Sequence, residues 1–250
     1  MKIKNMSNIK LSVIIPAYNE SKRISKTLLD IDKYLSEQDY EYEIMVMDDG
    51  SKDDTVEVVK KFEPLINGLR VVASQENHGK GYSVKKGMLE AQGQYRLFMD
   101  ADNATTIDHM EKVWPVFAKG FDVVIGSRDS KDAKGAKQAV SQPLVKRVLG
   151  NLGNILIQLL AVWGIWDTQC GFKVFKAEAA EDVFKRSLIE RWGFDIEVLA
   201  LAKRLKYKIG IIPVNWVNDP NSKVGWRGYV RTLSELLKIK WNLILNKYNL

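Results

Sequence analysis

A three-part unit repeats along the first half of the chain and leaves few folds open to it. Each copy has an apolar run, a polar break where the run ends, and a stretch with apolar residues every three or four positions. Leu11-Ser12-Val13-Ile14-Ile15-Pro16 gives way to Ala17-Tyr18-Asn19-Glu20, and Ser21 to Ser36 then carries Ile24, Leu28, Ile31 and Leu35 on one helical stripe. Glu43 to Met47 ends in Asp48-Asp49-Gly50-Ser51, ahead of a helix that starts near Lys52 or Asp53 and shows Val56, Val59 and Phe62. Leu69 to Ala73 precedes Asn77-His78-Gly79-Lys80-Gly81 and a helix reaching about Ala91. Strands of this kind, alternating with helices, build a parallel sheet covered on both faces, with functional groups at the carboxyl ends of the strands. Pro16 is expected to end the first strand by removing a ladder donor. At 250 residues and 46% hydrophobic content, the chain has material for one full α/β core.

The fourth apolar run, Gln94 to Met99, stops abruptly at Asp100-Ala101-Asp102. Two hard oxygen ligands one residue apart can share a divalent cation such as Mg²⁺ or Mn²⁺, and that cation can hold the diphosphate of a nucleotide. The same pattern also serves a polar loop start with acidic caps. A helix over about Thr106 to Lys119 and a strand over Phe121 to Gly126 lead to Ser127-Arg128. Residues 128–147 hold six basic and two acidic side chains in a long connection, suited to a lid over an anionic ligand or to a solvated loop. The glycines around Lys80 permit close backbone approach at a helix start, or simply a tight turn with a solvated lysine.

In the second half, Pro143 to about Val162 is helical in pattern, Phe172 to Phe175 alternates like a strand, and helices follow near Ala177–Lys185 and from Arg191-Trp192-Gly193-Phe194 to about Leu205. Ile209 to Val214 closes a domain placed at residues 1–217. Cys170 is the single cysteine and reads as a small buried residue; it rules out an internal disulfide and suits a reducing compartment. Two histidines leave little for a zinc site.

Of the net charge of +7, residues 221–250 contribute six positive and one negative side chain. That tail favours an anionic surface, and without zinc-finger spacing or an aromatic-and-basic RNA signature the expected surface is lipid, not nucleic acid. Residues 218–250 are read as a separate basic amphipathic element. Its helix, about Gly228 to Lys247, aligns Val230, Leu233, Leu237, Trp241, Ile244 and Tyr248 on one stripe, with Arg231, Lys238, Asn242 and Asn246 opposite. Such a stripe lies in a membrane interface or packs as core. The longest apolar stretch, Leu152 to Trp166, is broken by Gly153, Asn154, Gln158 and Gly164 and falls short of the roughly 20 residues that span a bilayer. The expected location is therefore cytoplasmic, peripherally at a membrane.

Taken in order, Val13-Ile14-Ile15-Pro16-Ala17-Tyr18-Asn19-Glu20, Asp48-Asp49-Gly50-Ser51, Gly79-Lys80-Gly81, Asp100-Ala101-Asp102 and Gly126-Ser127-Arg128 resemble the glycosyltransferase family 2 domain with the GT-A fold, over residues 11–217 at least. Asp167-Thr168-Gln169-Cys170-Gly171-Phe172-Lys173, Arg191-Trp192-Gly193-Phe194-Asp195-Ile196-Glu197 and Ser222-Lys223-Val224 with Trp226 are similar to the dolichyl-phosphate β-glucosyltransferases within it. The near relatives, dolichyl-phosphate mannose synthases, commonly carry Leu-Gln where this chain has Asn103-Ala104-Thr105. The resemblance implies a Rossmann-like nucleotide-sugar site in which Pro16, Tyr18 and Glu20 border the nucleoside, Asp49 meets uracil or ribose, Gly79 and Lys80 adjoin the donor, and Arg128 faces phosphate. It assigns catalysis to Asp100, Asp102 and Arg128 and the metal to Asp100 and Asp102. Gln169 and Lys173 are the candidates for acceptor contacts, and Asp195 and Glu197 orient the acceptor, steady a basic side chain or stabilise a helix start.

The expected function is inverting transfer of glucose from UDP-glucose to a dolichyl or polyprenyl phosphate, dependent on Mg²⁺ or Mn²⁺. GDP-mannose-dependent transfer, another family 2 activity, and an inactive nucleotide-sugar-binding regulatory protein are the alternatives.

Overall fold

The computed structural model of the chain describes residues 8–138, 153–216 and 226–250. The opening βα units are β1 (Leu11–Ala17), α1 (Ile24–Leu35), β2 (Tyr42–Asp48), α2 (Thr55–Phe62), β3 (Leu69–Ala73), α3 (Lys80–Glu90) and β4 (Tyr95–Met99). A 3₁₀ turn at Ile107–His109 runs into α4 (Met110–Ala118), followed by β5 (Val123–Ser127), a short β6 (Lys137–Gln138) and a helix, α5, over residues 153–160. Then come β7 (Phe172–Lys176), α6 (Ala177–Arg186), α7 (Phe194–Arg204), β8 (Ile209–Pro213), β9 (Asn215–Trp216) and α8 (Trp226–Ile244). The start of the expected helix from Pro143, residues 139–147 of the basic connection, and the Ser222-Lys223-Val224 stretch lie outside the described residues.

Seven strands form one sheet in the order β3-β2-β1-β4-β7-β5-β8, and β6 pairs with β9 separately. Every pairing in the large sheet is parallel except those of β7, which runs antiparallel to both β4 and β5. This is the single α/β domain with a mostly parallel sheet that the repeating unit predicts. Alternation along each strand divides the core. Ile14, Met45, Phe98, Ile125 and Phe175 face the layer of α3, α6 and α7, while Val13, Val46, Leu97, Val124 and Val174 face that of α1, α2 and α4.

Element ends differ from expectation for local reasons. The ladder of β1 with β2 continues to Ala17↔Asp48, whereas the ladder with β4 ends at Ile14↔Phe98, so Pro16 costs no pairing there. α1 begins at Ile24 because Ser21 is held outside it by Asp53 Oδ2, which accepts from Ser21 Oγ at 2.7 Å. The stripe of α8 also lies differently. Leu236, Ile239 and Tyr248 join the core against α7, so the segment after residue 217 shares the core of the preceding residues. Leu233, Leu237, Trp241 and Ile244 are 44%, 55%, 59% and 62% exposed. Asn242, expected on the outer polar face, is buried.

Candidate active site

β1 connects toward one edge of the sheet through β2 and β3, and the chain returns through α3 to lay β4 on the other side of β1. The strand order reverses between β1 and β4, and beyond the carboxyl ends of strands so placed an open α/β sheet forms its ligand crevice. Asp100 follows β4 directly, and its N–H donates to Gly171 O at 3.2 Å. Its carboxylate lies over the Gly171 α-carbon so closely that a Cβ at 171 would fall 1.9 Å from Oδ2. Asp102 Oδ1 accepts from Ala104 N at 3.1 Å, and Thr27 Oγ1 on α1 ties down the intervening Ala101 carbonyl at 2.7 Å. Asn103 turns the chain at φ 56° and donates to Asp30 Oδ2 at 2.5 Å.

Burial, and then the neighbouring charge of Asp100, push the Asp102 carboxyl above the usual carboxylate range. Two crowded carboxylates of this kind are relieved by a cation, so the residues fit a divalent ion with oxygen ligands. No group of three or more His, Cys, Asp or Glu forms a metal cluster among the described residues. A bound ion would therefore draw further ligands from phosphate and water, as Mg²⁺ does at nucleotide sites.

Lys80 opens α3 and places Nζ 2.5 Å from Asp100 Oδ1. Burial alone would lower its pKa, but the carboxylates of Asp100, Asp195 and Asp102 outweigh that and raise it to about 12. Behind it Lys173, fully buried, donates to Cys170 O at 2.7 Å and pairs with buried Asp195. Lys173 thus does not face the crevice as an acceptor contact would. Asp195 follows the other expectation, that of steadying a basic side chain. Glu197 is likewise inside the core. It accepts from Leu188 N and Ile189 N and from the Tyr248 hydroxyl at 2.8 Å, and burial raises its pKa. Its position braces the chain before α7 and leaves no face for an acceptor. Gln169, the remaining acceptor candidate, is exposed.

Asp49 is buried at the end of β2, its oxygens accepting from Asn77 Nδ2, His78 N and Gly79 N at 2.8–2.9 Å. It fixes the turn before Lys80, a structural duty that the sequence pattern does not reveal. Gly79 adopts φ 121°, which favours glycine, and Gly50 before it φ 71°. Tyr18, Asn19 and Glu20 are part-buried beyond β1. Asn19 N donates to Ser51 Oγ at 2.9 Å and Glu20 N to Thr55 Oγ1 at 2.8 Å, so the loops after β1 and β2 are joined. Glu20 also grips Arg23 Nε and Nη2 at 2.7 Å.

Arg128, after β5, is held in a fork by Asp167. Its Nε reaches Oδ2 and its Nη2 reaches Oδ1, each at 2.8 Å, while the guanidinium lies 5.2 Å from the Trp216 ring. Burial would lower the Arg128 pKa, but the Asp167 charge beside it wins and raises it; the Asp167 carboxyl is held low in turn, against its own burial. Asp132 secures the segment that carries Asp167 by accepting from Trp166 N and Asp167 N at 2.8 Å. The Cys170 thiol is buried and its pKa is pushed up to about 12 by that burial, the inert state expected of it.

Residues 12–184 match the family model described as Glycosyl transferase family 2. The chain belongs to that family. A dolichyl-phosphate beta-glucosyltransferase of Dictyostelium discoideum is 36% identical to this family 2 member over 96% of the chain and 76% of its own length. The Homo sapiens protein of the same name is 34% identical over 96% and 78%. The structure of glucosyl-3-phosphoglycerate synthase from Mycobacterium tuberculosis in complex with UDP covers 93% of this chain and 80% of that one, with a TM-score of 0.67 at 18% identity. At that distance the likeness speaks for the fold, which is GT-A. Within the family 2 domain, Asp167 and Gly171 stood in a quoted motif without a role assigned to either, and Thr27, a polar residue on the α1 stripe side, left no signal of its own.

Proposed function

We propose that this glycosyltransferase moves glucose from UDP-glucose to the phosphate of a dolichyl or polyprenyl lipid, with inversion, while resting on the cytoplasmic face of a membrane. The observation that carries the reading is the Asp100 and Asp102 pair at the open end of β4, in a chain whose relatives at 34% and 36% identity carry the dolichyl-phosphate glucosyltransferase name. A divalent ion held there supplies charge neutralisation for a departing diphosphate. A lipid phosphate monoester has a second pKa near 6, so its oxygen attacks already ionised and the site needs no strong general base. What the protein supplies is position and fixed charge. Arg128, pre-oriented by Asp167 at the end of β5, presents a cation for phosphate, and exposed Gln169, two residues after Asp167 in the chain, offers an amide.

The membrane part of the reading is supported by α8. Its exposed Leu233, Leu237, Trp241 and Ile244 are flanked by exposed Arg231 and Lys238. Trp163, 72% exposed after α5, is tied through its carbonyl to Lys203 on α7, the helix that α8 packs on. No helix of the described residues is long and apolar enough to cross a membrane.

The test is product formation with UDP-glucose and GDP-mannose in parallel, on a short polyprenyl phosphate, with the anomer read by NMR. We expect a β-linked product from UDP-glucose. A site that hydrogen-bonds uracil leaves buried polar groups unpaired with guanine, so the preference should be large. Preference for GDP-mannose would refute the donor, and an α-linked product would refute a single displacement.

A further inference from the structure

The ammonium of Lys80 lies where a metal-binding carboxylate would otherwise be open, 2.5 Å from Asp100 Oδ1. Both partners are held firmly. Gly79 and Gly81 on either side of Lys80 pack so tightly that a Cβ would come within 2.5 Å of Glu190 O and 2.6 Å of Ile189 O. Tyr82 N donates to Glu190 O at 3.0 Å in the same contact. Asp100 is clamped over Gly171. The ring centroids of Trp192 and Phe194 each lie 5.7 Å from Nζ. Lys173 and Asp195 form a buried ion pair behind it. A buried pair of this kind is expensive to maintain and is poor evidence of stabilisation, so an electrostatic duty toward its neighbours is the better account of it.

We propose that Lys80 is a resident cation that denies Asp100 to a bare divalent ion and yields it to an ion arriving with a diphosphate. The proposal rests on the reading of Asp100 and Asp102 as metal-binding carboxylates at a nucleotide site. A bare ion must displace an ammonium from Asp100 and then remain beside it, two cations sharing one short carboxylate segment. Diphosphate oxygens remove the conflict, because the ammonium can exchange a carboxylate for a phosphate without leaving its place at the start of α3. Metal and nucleotide then bind with positive coupling, each raising the affinity of the other by the same factor. The chain thereby binds metal chiefly when donor is present.

The experiment titrates full-length protein with Mn²⁺ alone, UDP alone and the two together, following free Mn²⁺ by electron paramagnetic resonance and UDP by calorimetry. Lys80→Met and Lys80→Gln should bind Mn²⁺ without nucleotide about tenfold more tightly than the wild type, and should lose most of the coupling to UDP. Lys80→Arg, which keeps the charge, should bind bare Mn²⁺ more weakly than either neutral variant. Neutral variants that bind bare Mn²⁺ no more tightly than the wild type would overturn the proposal, as would a wild-type Mn²⁺ affinity that UDP leaves unchanged. The second result needs no variant, so a substitution that failed to fold would not rescue the idea. No acceptor or sugar transfer enters these measurements, so a wrong donor sugar or lipid would appear in the transfer assay alone.

Discussion

At position 171 a single methyl group would stand 1.9 Å from Asp100 Oδ2, a distance that no side-chain rotation at 171 can relieve. Gly171→Ala must therefore displace the Asp100 carboxylate from its present place, and we expect transfer to fall at least tenfold while the melting temperature moves by only a few degrees. Asp102→Ala should likewise lose most turnover in a folded protein. Retention of full activity by either variant, assayed with Mn²⁺ present, would remove that residue from the site. Arg128→Lys should also be far from neutral, because an ammonium cannot fill the two-point fork with Asp167; wild-type kinetics for that variant would refute the role. His109 gives a pH signature. Burial lowers its pKa, and Nε2 accepts from Asn215 N at 3.1 Å. An unfolded imidazole titrates near 6.5, so below that pH the unfolded chain binds a proton that the native chain refuses. Stability should decline as pH falls through about 6.5 and level off below the folded pKa, with a shallower decline in His109→Gln; equal slopes in melts between pH 5 and 7.5 would exclude the effect. Among single residues, charge was legible in the sequence and space was not. Asp100 and Asp102 stand out as carboxylates at a strand end, whereas the need for a bare α-carbon at 171 follows from a strand that arrives much later in the chain.

Elements were legible through period, and misjudged where period leaves two answers. A repeat of three and four residues says that α8 has two unlike faces without saying which one packs. Here Leu236, Ile239, Asn242 and Tyr248 turn inward, and the Leu233, Leu237, Trp241 and Ile244 stripe turns out. Deleting everything after Asn221 would consequently expose the α7 face and strip Glu197 of the Tyr248 hydroxyl, so we expect a lower melting temperature together with any loss of membrane binding. Leu237→Ser combined with Trp241→Ser is the cleaner change. It should weaken sedimentation with anionic liposomes and leave UDP affinity within about twofold, since both side chains point away from the core. Equal sedimentation of this variant and the wild type would end the membrane role of α8. The direction of β7 was equally hidden, because an apolar run reads the same whether its strand lies parallel or antiparallel.

For the whole molecule, the charge of residues 221–250 predicts that liposome binding weakens as salt rises and the Debye length shortens, leaving an apolar remainder that salt does not remove. The placement of β7 has another consequence, concerning the order in which the structure can be made. β4 and β5 both precede residue 172 in the chain, yet neither touches the other in the sheet, because β7 fills the gap between them. The first four strands can associate through local crossovers, while β5 and β8 remain without a strand pairing to them until β7 is inserted. That insertion closes long loops before any pairing rewards it, which is the slow kind of step in folding. It also delivers Gly171 beneath Asp100. Folding and activation should therefore coincide in time: in refolding from denaturant, tryptophan fluorescence and backbone signal can recover in stages, but the ability to bind UDP with Mn²⁺ should return only with the slowest phase.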